Sequence, residues 1–286
     1  MTTPPTLPGG VEPAELEAVA CRVALAAGRL VVDERPADLR VSAKSTETDP
    51  VTVMDQRSQE LLLRLLADER PDDAVMGEEQ GSATGTSGLT WVVDPIDGTV
   101  NYLYGIPSYA VSVAVVTGDP SVAGAWRSVA GAVCNPETDE LFSAHLGGGA
   151  RLTSADGTRT LRANPVTDLA LALVGTGFGY QASMRARQAA LLVDLLPRVR
   201  DIRRHGGAAL DLCGLAAGRL DAYYETALNP WDRAAGELVA REAGAVVGGP
   251  VDDVPTRTLV WGAAPGLAEQ FGTLVRELSA RHVGPA

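Results

Sequence analysis

Hydrophobic residues recur at helical spacing in six parts of the chain. Residues 15–32 and 54–68 each place apolar side chains on one face of an amphipathic helix, and Pro71 follows the second helix as a stop signal. The helix over 229–244 has the strongest end signals: Asn229 as N-cap, Pro230 in the first turn and Gly244 at the end. Three further helices are predicted over 182–199, 206–218 and 265–282.

Strands are predicted where short apolar or β-branched runs lie between turn residues. In the first half of the chain, these runs cover 74–79, 89–94, 108–118, 121–136 and 139–146, and their succession fits an antiparallel meander. In the second half, predicted strands alternate with the helices and cover 171–177, 201–204, 219–225 and 258–263. The pattern predicts an α+β half over 13–165 and an α/β half over 166–286, after a disordered tail over 1–12.

The composition is that of an ordinary globular protein with ample core, since 45% of the 286 residues are hydrophobic and 21% are charged. No run approaches the ~20 apolar residues of a membrane helix, and the first residues resemble no signal peptide. We therefore expect a soluble, cytoplasmic protein. A formal net charge of -12 without any basic block argues against nucleic acid or an anionic membrane as the main partner.

Cysteine and lysine are both rare in the chain. Cys21, Cys134 and Cys213 lie far apart and form no C-x-x-C pair, so buried free thiols are expected and not a disulfide framework or a zinc site. Lys44 is the one lysine among 24 basic residues. Coding bias accounts for the many arginines, and a need for a compact ammonium at Lys44 is the alternative.

Carboxylates gather in the stretch WVVDPIDGTVNYLYG (91–105), where an apolar strand is expected to end at Asp94. Pro95 predicts a turn that brings Asp97 back near Asp94, although such dipeptides are often only turns. Asp232, in the first turn of a well-capped helix, and the pair Glu78 and Glu79 add further acids. Converging carboxylates raise one another's pKa unless a cation neutralises them, and oxygen ligands without His or Cys favour Mg²⁺.

Four separated motifs resemble those of the inositol monophosphatase family of Mg²⁺-dependent, lithium-sensitive phosphatases, and they are most similar to those of its actinobacterial inositol-1-monophosphatases. The segments DPIDGTVNY (94–102) and WDRAAGE (231–237) resemble the two signatures of the family, and KSTETDPVTVMD (44–55) and GEE (77–79) resemble two more of its motifs. The similarity runs over about residues 15–270. It implies a layered α/β/α/β/α sandwich of the sugar phosphatase type, and a homodimer.

The resemblance also implies the residues of the site, carried over position by position. The metal ligands, for two to three Mg²⁺ ions, fall on Glu78, Asp94, Asp97, Asp232 and the carbonyl of Ile96. A Thr99–Asp55 pair, together with Glu78, would position the attacking water, and the amides of Gly98 and Thr99 would meet the phosphate.

Two positions on the substrate side follow from the same resemblance. Glu225 falls where the family has a glutamate that contacts inositol hydroxyls, with a surface glutamate at a strand end as the alternative, and Ala208 falls on a backbone contact. In RRHGGAALD (203–211), His205 and Gly207 depart from the usual G-S-A-A-L-D pattern, which puts ring specificity in doubt.

Some residues are expected to have no part in the chemistry. The segment GTGFG (175–179) matches no nucleotide-binding loop and is predicted to be a tight connection near the rim of the site. His145 and His282 are expected to be ordinary structural or surface residues. Tyr102 and Tyr104 are expected to pack beside the metal loop.

The resulting hypothesis is a Mg²⁺-dependent phosphomonoesterase that hydrolyses inositol 1-phosphate, with a small phosphate monoester as its partner. Histidinol phosphate, fructose 1,6-bisphosphate or a 3'-phosphonucleotide are the alternative substrates on the same scaffold. A regulatory binding protein that shares the fold is the alternative from a different class, because a fold does not fix a function.

Overall fold

A computed structural model describes residues 7–37, 39, 41–43, 50–251 and 254–284. Lys44 lies outside the described residues, as does the part of its motif before Pro50. The described residues form seven α-helices, namely α1 Pro13–Asp33, α2 Val53–Glu69, α3 Thr99–Tyr104, α4 Ala182–Leu195, α5 Ala208–Ala216, α6 Pro230–Glu242 and α7 Ala268–His282. Each of the six predicted helices is present, and the short α3 follows the carboxylate-rich strand.

The larger sheet has seven strands among the described residues: β3 Ala74–Gly77, β4 Leu89–Asp97, β5 Ala110–Gly118, β6 Trp126–Asn135, β7 Glu140–His145, β8 Ala150–Ser154 and β9 Gly157–Thr160. Neighbours in the chain are neighbours in the sheet. Every pair from β4 onward is antiparallel, which confirms the predicted meander for β4 to β7, while β8 and β9 extend the sheet beyond the predicted strands. The prediction of an antiparallel meander is wrong for the first pair, in which β3 runs parallel to β4. Ala83 forms an antiparallel bridge with Val75, so the chain returns along β3 before β4 begins.

The smaller sheet has five described strands: β10 Leu173–Thr176, β11 Asp201–Arg203, β12 Ala222–Glu225, β13 Val246–Gly248 and β14 Val260–Ala263. Their order is β11-β10-β12-β14-β13. The strand β10 is parallel to both of its neighbours, whereas β14 is antiparallel to β12 and β13. A separate two-stranded ladder joins β1 Val41–Ala43 to β2 Pro50–Thr52. The predicted boundary between residues 165 and 166 falls between β9 and β10.

Five layers stack on one another, in the predicted order α/β/α/β/α. One hydrophobic core lies between α1, α2 and the larger sheet, and includes Leu16, Leu62 and Trp91. A second core joins the other face of that sheet to α5 and α6. Two more join α5 and α6 to the smaller sheet, and the smaller sheet to α4 and α7. The pair α5 and α6 is therefore the middle layer, buried on both sides.

The beginning of the chain departs from the prediction. Residues 1–6 lie outside the described residues, but Leu7 is only 6% exposed and belongs to the first hydrophobic core. Pro8–Gly10 forms a single 3₁₀ turn before α1. The expected disorder is therefore wrong from Leu7 onward, because the burial of an apolar side chain fixes that segment on the core.

Among the described residues, no helix is both long enough and apolar enough to cross a membrane. The three cysteines are free, and Cys134 and Cys213 are buried, as predicted; Cys21 is only partly buried. Burial raises the pKa of the Cys134 thiol to about 12, so this thiol is unreactive at neutral pH.

Candidate active site

A cleft of about 470 Å³ contains most of the site residues predicted from the sequence. Of those residues, Glu78, Asp94, Ile96, Asp97, Gly98, Thr99, Ala208, Glu225 and Asp232 line the cleft. They come from the ends of β3, β4 and β12 and from the beginnings of α3, α5 and α6. Asp55 does not line it and is fully buried behind Thr99.

A β-bulge in β4 places Asp94 and Asp97 in the same cleft. Asp94 pairs with Ser112 and Asp97 with Ala110, so three steps along β4 match two steps along β5. In a regular strand, side chains three residues apart point to opposite faces, and one extra residue returns them to the same side. The strand therefore continues to Asp97, and the predicted proline turn after Asp94 is wrong, because the bulge accommodates Pro95 within the strand.

Gly98 makes the connection from the bulge to α3. Its φ of 92° is in the left-handed region that favours glycine, and it is the N-cap of α3. A Cβ at this position would lie 3.1 Å from the carbonyl oxygen of Ser108 and 3.3 Å from that of Gly206. The positive φ and the close approach of these backbones together favour glycine next to Asp97.

The hydroxyl of Thr99 links the cleft to buried Asp55. Its Oγ1 lies 3.1 Å from Oδ1 of Asp55 and 3.0 Å from the carbonyl oxygen of Ile96, either of which accepts its proton. The other oxygen of Asp55 accepts hydrogen bonds from the amide and the hydroxyl of Thr52, at 2.7 and 2.6 Å. Asp55 thereby closes a capping box at the start of α2 and holds Thr99 with the same carboxylate.

Each of the aspartates also accepts a backbone hydrogen bond that orients it. Oδ1 of Asp94 accepts from the amide of Ile96 at 3.0 Å, within the bulge. Oδ2 of Asp97 accepts from Ala209 at 2.8 Å, in the first turn of α5. Oδ2 of Asp232 accepts from its own N-cap residue at 2.6 Å. The carboxylates are therefore held by the protein itself.

Glu78 follows the end of β3, and its amide donates to the carbonyl of Val93 at 3.2 Å, which extends the parallel pairing of β3 with β4. This pairing brings Glu78 beside Asp94. Gly77 precedes it in tight packing, because a Cβ there would overlap the amide group of Gln59. Glu79 is not among the residues that line the cleft.

Glu225, at the end of β12, also lines the cleft. The hydroxyl of Tyr223 donates to its Oε2 at 2.6 Å. A Cβ on Gly177 would overlap the carboxylate of Glu225, so a glycine there makes room for it. Ala208 is the first residue of α5, at the position the family resemblance predicts. Gly207 before it is also close-packed, because its Cβ would lie 3.1 Å from Oδ2 of Asp97.

Sequence reasoning missed most of the other residues that line the cleft. They include Tyr180, Gln181, Met184, Arg204, Thr226, Trp231 and Arg257, together with Asn229, which was predicted only as an N-cap. The segment 175–179 was expected near the rim, and Phe178 and Gly179 confirm this. The guanidinium of Arg204 lies 6.0 Å from the ring centroid of Phe178, and Arg257 donates to Asn229. Arg257 lies in a segment without a motif, and Arg204 lies in the stretch 203–211, where the family resemblance implies a contact only for Ala208.

The acids of the cleft raise one another's pKa. Burial raises the pKa of Asp97 well above its ordinary value, and the charge of Asp232 adds to the effect. Burial and the charge of Glu78 raise the pKa of Asp232 in the same direction. Burial raises the pKa of Glu225 to about 7, against the hydrogen bond from Tyr223. Without a cation the cleft therefore disfavours negative charge on these acids, and a bound cation would stabilise their ionised forms.

The donor set fits Mg²⁺ better than a metal that needs a closed protein cage. Among the described residues, no group of three His, Cys, Asp or Glu side chains is arranged as a ready-made metal site. The acids line an open cleft, and its described lining contains neither His nor Cys. Mg²⁺ retains several waters and uses a few carboxylates together with substrate phosphate, so an open arrangement of oxygen ligands suits it.

The other predicted side chains lie outside the cleft. Tyr102 is buried and donates to the carbonyl of Val31 at 2.9 Å, as a packing residue should. Tyr104 is 76% exposed, so its predicted packing role is wrong: it projects from the end of α3. His145 and His282 pair with Glu17 and Asp194, as structural residues.

His205, the residue that departs from the family pattern, does not line the cleft. Its Nδ1 lies 2.6 Å from Oδ1 of buried Asp211, and its carbonyl oxygen accepts from the side-chain amide of Asn101 at 2.6 Å. The hydrogen bond to Asp211 raises the pKa of His205. His205 therefore tethers the segment before α5 and makes no contact with the interior of the cleft.

Comparison with known proteins gives a consistent result over nearly the whole chain. The sequence model described as "Inositol monophosphatase family" matches residues 12–280. The chain is 52% identical to the "Inositol-1-monophosphatase" of Mycobacterium leprae over 236 residues, which are 80% of this chain and 79% of that protein. It is 39% identical to the "Nus factor SuhB" of Pasteurella multocida, over 80% of this chain and 83% of that one.

The fold agrees with a solved structure of such a relative. Mycobacterium tuberculosis SuhB superposes with a TM-score of 0.78 at 44% identity, and the match covers 93% of this chain and 98% of that one. The layered fold, the four motifs and these similarities lead to one conclusion. The chain belongs to the inositol monophosphatase family.

Proposed function

We propose that the chain hydrolyses inositol 1-phosphate to inositol and inorganic phosphate in a Mg²⁺-dependent reaction. Membership of the family makes the chain a phosphatase, and the identity of the ester and of the ion is the proposed part. The single observation that carries the proposal is the cleft itself, in which the acids of Glu78, Asp94, Asp97 and Asp232 face a substrate end with Glu225.

In this proposal, Glu78, Asp94, Asp97, Asp232 and the carbonyl of Ile96 hold two to three Mg²⁺ ions. When bound, Mg²⁺ supplies positive charge that lets a phosphate dianion enter an acidic cleft, activates water and stabilises the leaving oxygen. The backbone hydrogen bonds to Asp94, Asp97 and Asp232 keep their carboxylates in place before the ions arrive. Such preorganisation lowers the cost of assembling the site.

Thr99 and Asp55 position the attacking water together with Glu78. The hydroxyl of Thr99 has one proton, and donation to Asp55 leaves its lone pairs directed away from that carboxylate. The hydroxyl oxygen of Thr99 can then accept a hydrogen bond from a water molecule in the cleft and fix its direction of attack. The amides of Gly98 and Thr99, at the start of α3, bind the phosphate oxygens.

The carboxylate of Glu225 accepts hydrogen bonds from hydroxyl groups of the inositol ring, beside the backbone of Ala208. Tyr223 holds one of its oxygens at 2.6 Å, which leaves the second oxygen for the substrate. A buried acceptor of this kind selects a ligand that brings donors, because an apolar ester would leave it unpaired. The polyol inositol satisfies that requirement.

Phosphate release from a panel of esters tests the proposal. The panel holds inositol 1-phosphate, histidinol phosphate, fructose 1,6-bisphosphate and a 3'-phosphonucleotide, each assayed after chelation and again with added MgCl₂. We expect inositol 1-phosphate to give the highest kcat/KM, and release to depend on Mg²⁺. A different ester that is hydrolysed far better would replace the proposed substrate, and full activity in the chelated enzyme would exclude the proposed metal chemistry.

A second candidate function is a regulatory role, which the similarity to a "Nus factor SuhB" favours. The two functions make different demands on Asp97. A cell whose gene carries Asp97→Asn should lose the phosphatase function while keeping a role that depends on surfaces alone. If Asp97→Asn supports every cellular function of the wild-type gene, the regulatory role is favoured over the phosphatase activity as the function of the chain.

Three further properties belong to the same proposal, namely a homodimer, a cytoplasmic location and inhibition by Li⁺. Each is implied by the family resemblance. Light scattering that gives the mass of a monomer, or a phosphatase activity that is insensitive to Li⁺, would contradict the corresponding property.

A further inference from the structure

A second cavity, of about 360 Å³, lies beside α6 and shares no lining residue with the active-site cleft. Its lining includes the first residues of β6, Leu146 after β7, one side of α6, and Val254 with Pro255. The side chains of Trp126, Leu146 and Leu238 make much of this lining apolar. A cavity of this size and character accommodates a small organic molecule.

One charged side chain that lines this cavity is buried and incompletely paired. Arg233 is 4% exposed, and its Cζ lies 4.7 Å from the ring centroid of Trp126. One terminal nitrogen donates to Glu237 and the other to the carbonyl of Pro255, at 3.3 Å. The Nε–H is buried and has no hydrogen-bond partner in the described part of the chain. A buried donor without a partner costs free energy, and because Arg233 lines the cavity, an acceptor bound against its guanidinium would lower that cost.

The other charges around the cavity favour a negatively charged ligand. Glu237 is bound to Arg233, and the carboxylate of Glu242 accepts two backbone N–H groups at 2.9 Å. Arg127 and Arg241 also line the cavity, and both are exposed. Among its described lining residues the two acids are therefore already engaged, while three arginines surround the space.

We propose that this cavity is a binding site for a small organic carboxylate with a ring-sized apolar body. The carboxylate accepts the Nε–H of Arg233, and the apolar body packs beside Trp126 and Leu238. A monoanion suits the site better than a phosphate dianion, because the nearby carboxylate of Glu237 repels each additional negative charge. The site is independent of the proposed phosphatase chemistry.

Calorimetry and ligand-observed NMR on the full chain test the proposal, with phenylacetate as the probe and neutral phenylacetamide as its isosteric control. We expect phenylacetate to bind about tenfold more tightly or better, because a charged hydrogen-bond partner is stronger than a neutral one. Absence of phenylacetate binding, or equal affinity for the amide, would overturn the proposal.

Variants then locate the bound probe. Leu146→Trp fills the cavity at a half-buried position that tolerates a larger side chain, and it should abolish binding. Arg241→Gln, at an exposed position of the rim, should weaken binding severalfold, whereas Arg159→Gln, exposed on β9, is the matched control and should leave it unchanged. Undiminished binding to both cavity variants overturns the proposal. Displacement of the probe by inorganic phosphate also overturns it, because the probe then occupies the active-site cleft.

Discussion

Thr99 and Asp55 stand 44 positions apart in the chain, and the hydroxyl of one lies 3.1 Å from the carboxylate of the other. The same carboxylate caps α2 through Thr52. The start of a helix on one side of the larger sheet is therefore joined by a single side chain to the hydroxyl that faces the cleft. Asp55 therefore stabilises the fold and also holds a group that we propose to act in the reaction.

Two replacements of Thr99 distinguish the contribution of its hydroxyl from that of its side-chain volume. Thr99→Val keeps the volume and removes the group proposed to orient water, so we expect kcat to fall by roughly 10²- to 10⁴-fold with little change in KM. Thr99→Ser restores a hydroxyl and should recover most of the rate. Steady-state kinetics on folded variants measures both. A valine variant as fast as the wild type would remove Thr99 from the mechanism.

Loss of the charge of Asp97 should have opposite effects on catalysis and on the stability of the metal-free protein. We expect Asp97→Asn to lose about 10² to 10⁴ in kcat because it removes a proposed metal ligand. Without Mg²⁺, its melting temperature should equal or exceed that of the wild type, since the repulsion between Asp97 and Asp232 is gone.

The matched control for Asp97 is Asp156→Asn, in the exposed turn between β8 and β9. It should behave as wild type in activity and in the increase of melting temperature that Mg²⁺ produces. An Asp97→Asn protein that retains this Mg²⁺-induced stabilisation would show that Asp97 binds no ion.

The substrate contact of Glu225 predicts an effect that depends on the ester. Glu225→Gln, and Gly177→Ala, whose new Cβ displaces the carboxylate, should raise KM for inositol 1-phosphate by about 10- to 100-fold, as expected for loss of hydrogen bonds to a charged acceptor. Phenyl phosphate has no ring hydroxyls and should be hydrolysed by these variants about as well as by the wild type. Equal losses on both esters would mean a structural role for Glu225.

Asp73 predicts a dependence of stability on acid pH. Burial raises its pKa, but hydrogen bonds from Arg70, Ser87 and Trp91 more than offset this, so its pKa lies below the ordinary value. A lowered pKa stabilises the fold above the unfolded pKa of about 4, and this contribution is lost as the pH falls through the folded value.

Thermal melting of Asp73→Asn between pH 7 and pH 3 measures this contribution. The variant should melt well below the wild type at pH 7, and the difference should shrink below about pH 4, as the pH falls from the unfolded pKa toward the lower folded pKa. Exposed Asp72→Asn is the neighbouring control and should melt as the wild type throughout. A deficit in Asp73→Asn that is constant with pH would assign the loss to packing and not to charge.

The sequence was sufficient to predict those residues of the site that lie directly at a helix or strand end. Asp232 follows an N-cap and a proline, and Asp94 ends an apolar run, so short motifs specified both their identity and their position. The bulge at Pro95 was mistaken for a turn, because both use the same residues and only the register of β5 distinguishes them.

Other features depend on contacts that no local pattern encodes. The parallel pairing of β3 with β4 is set by the return of the chain through Ala83. The strand β9 is exposed along its length and has no apolar alternation to predict it. Arg204 and Arg257 reach the cleft from different segments. Arg233 lies within the motif at 231–237, for which the family resemblance implies a role only for its neighbour Asp232.

The bond from Ala209 to Asp97 joins α5 to β4 across 112 positions of the chain. A carboxylate from the first half thus caps a helix of the second half, while Asp232 of the second half completes the acidic cleft. A chimaera of two relatives joined near residue 165 would contain every acidic side chain of the cleft. It would form the site only if β4 of one relative packs against α5 of the other as it does here. In this chain, the acidic cleft therefore depends on how its two halves pack against each other.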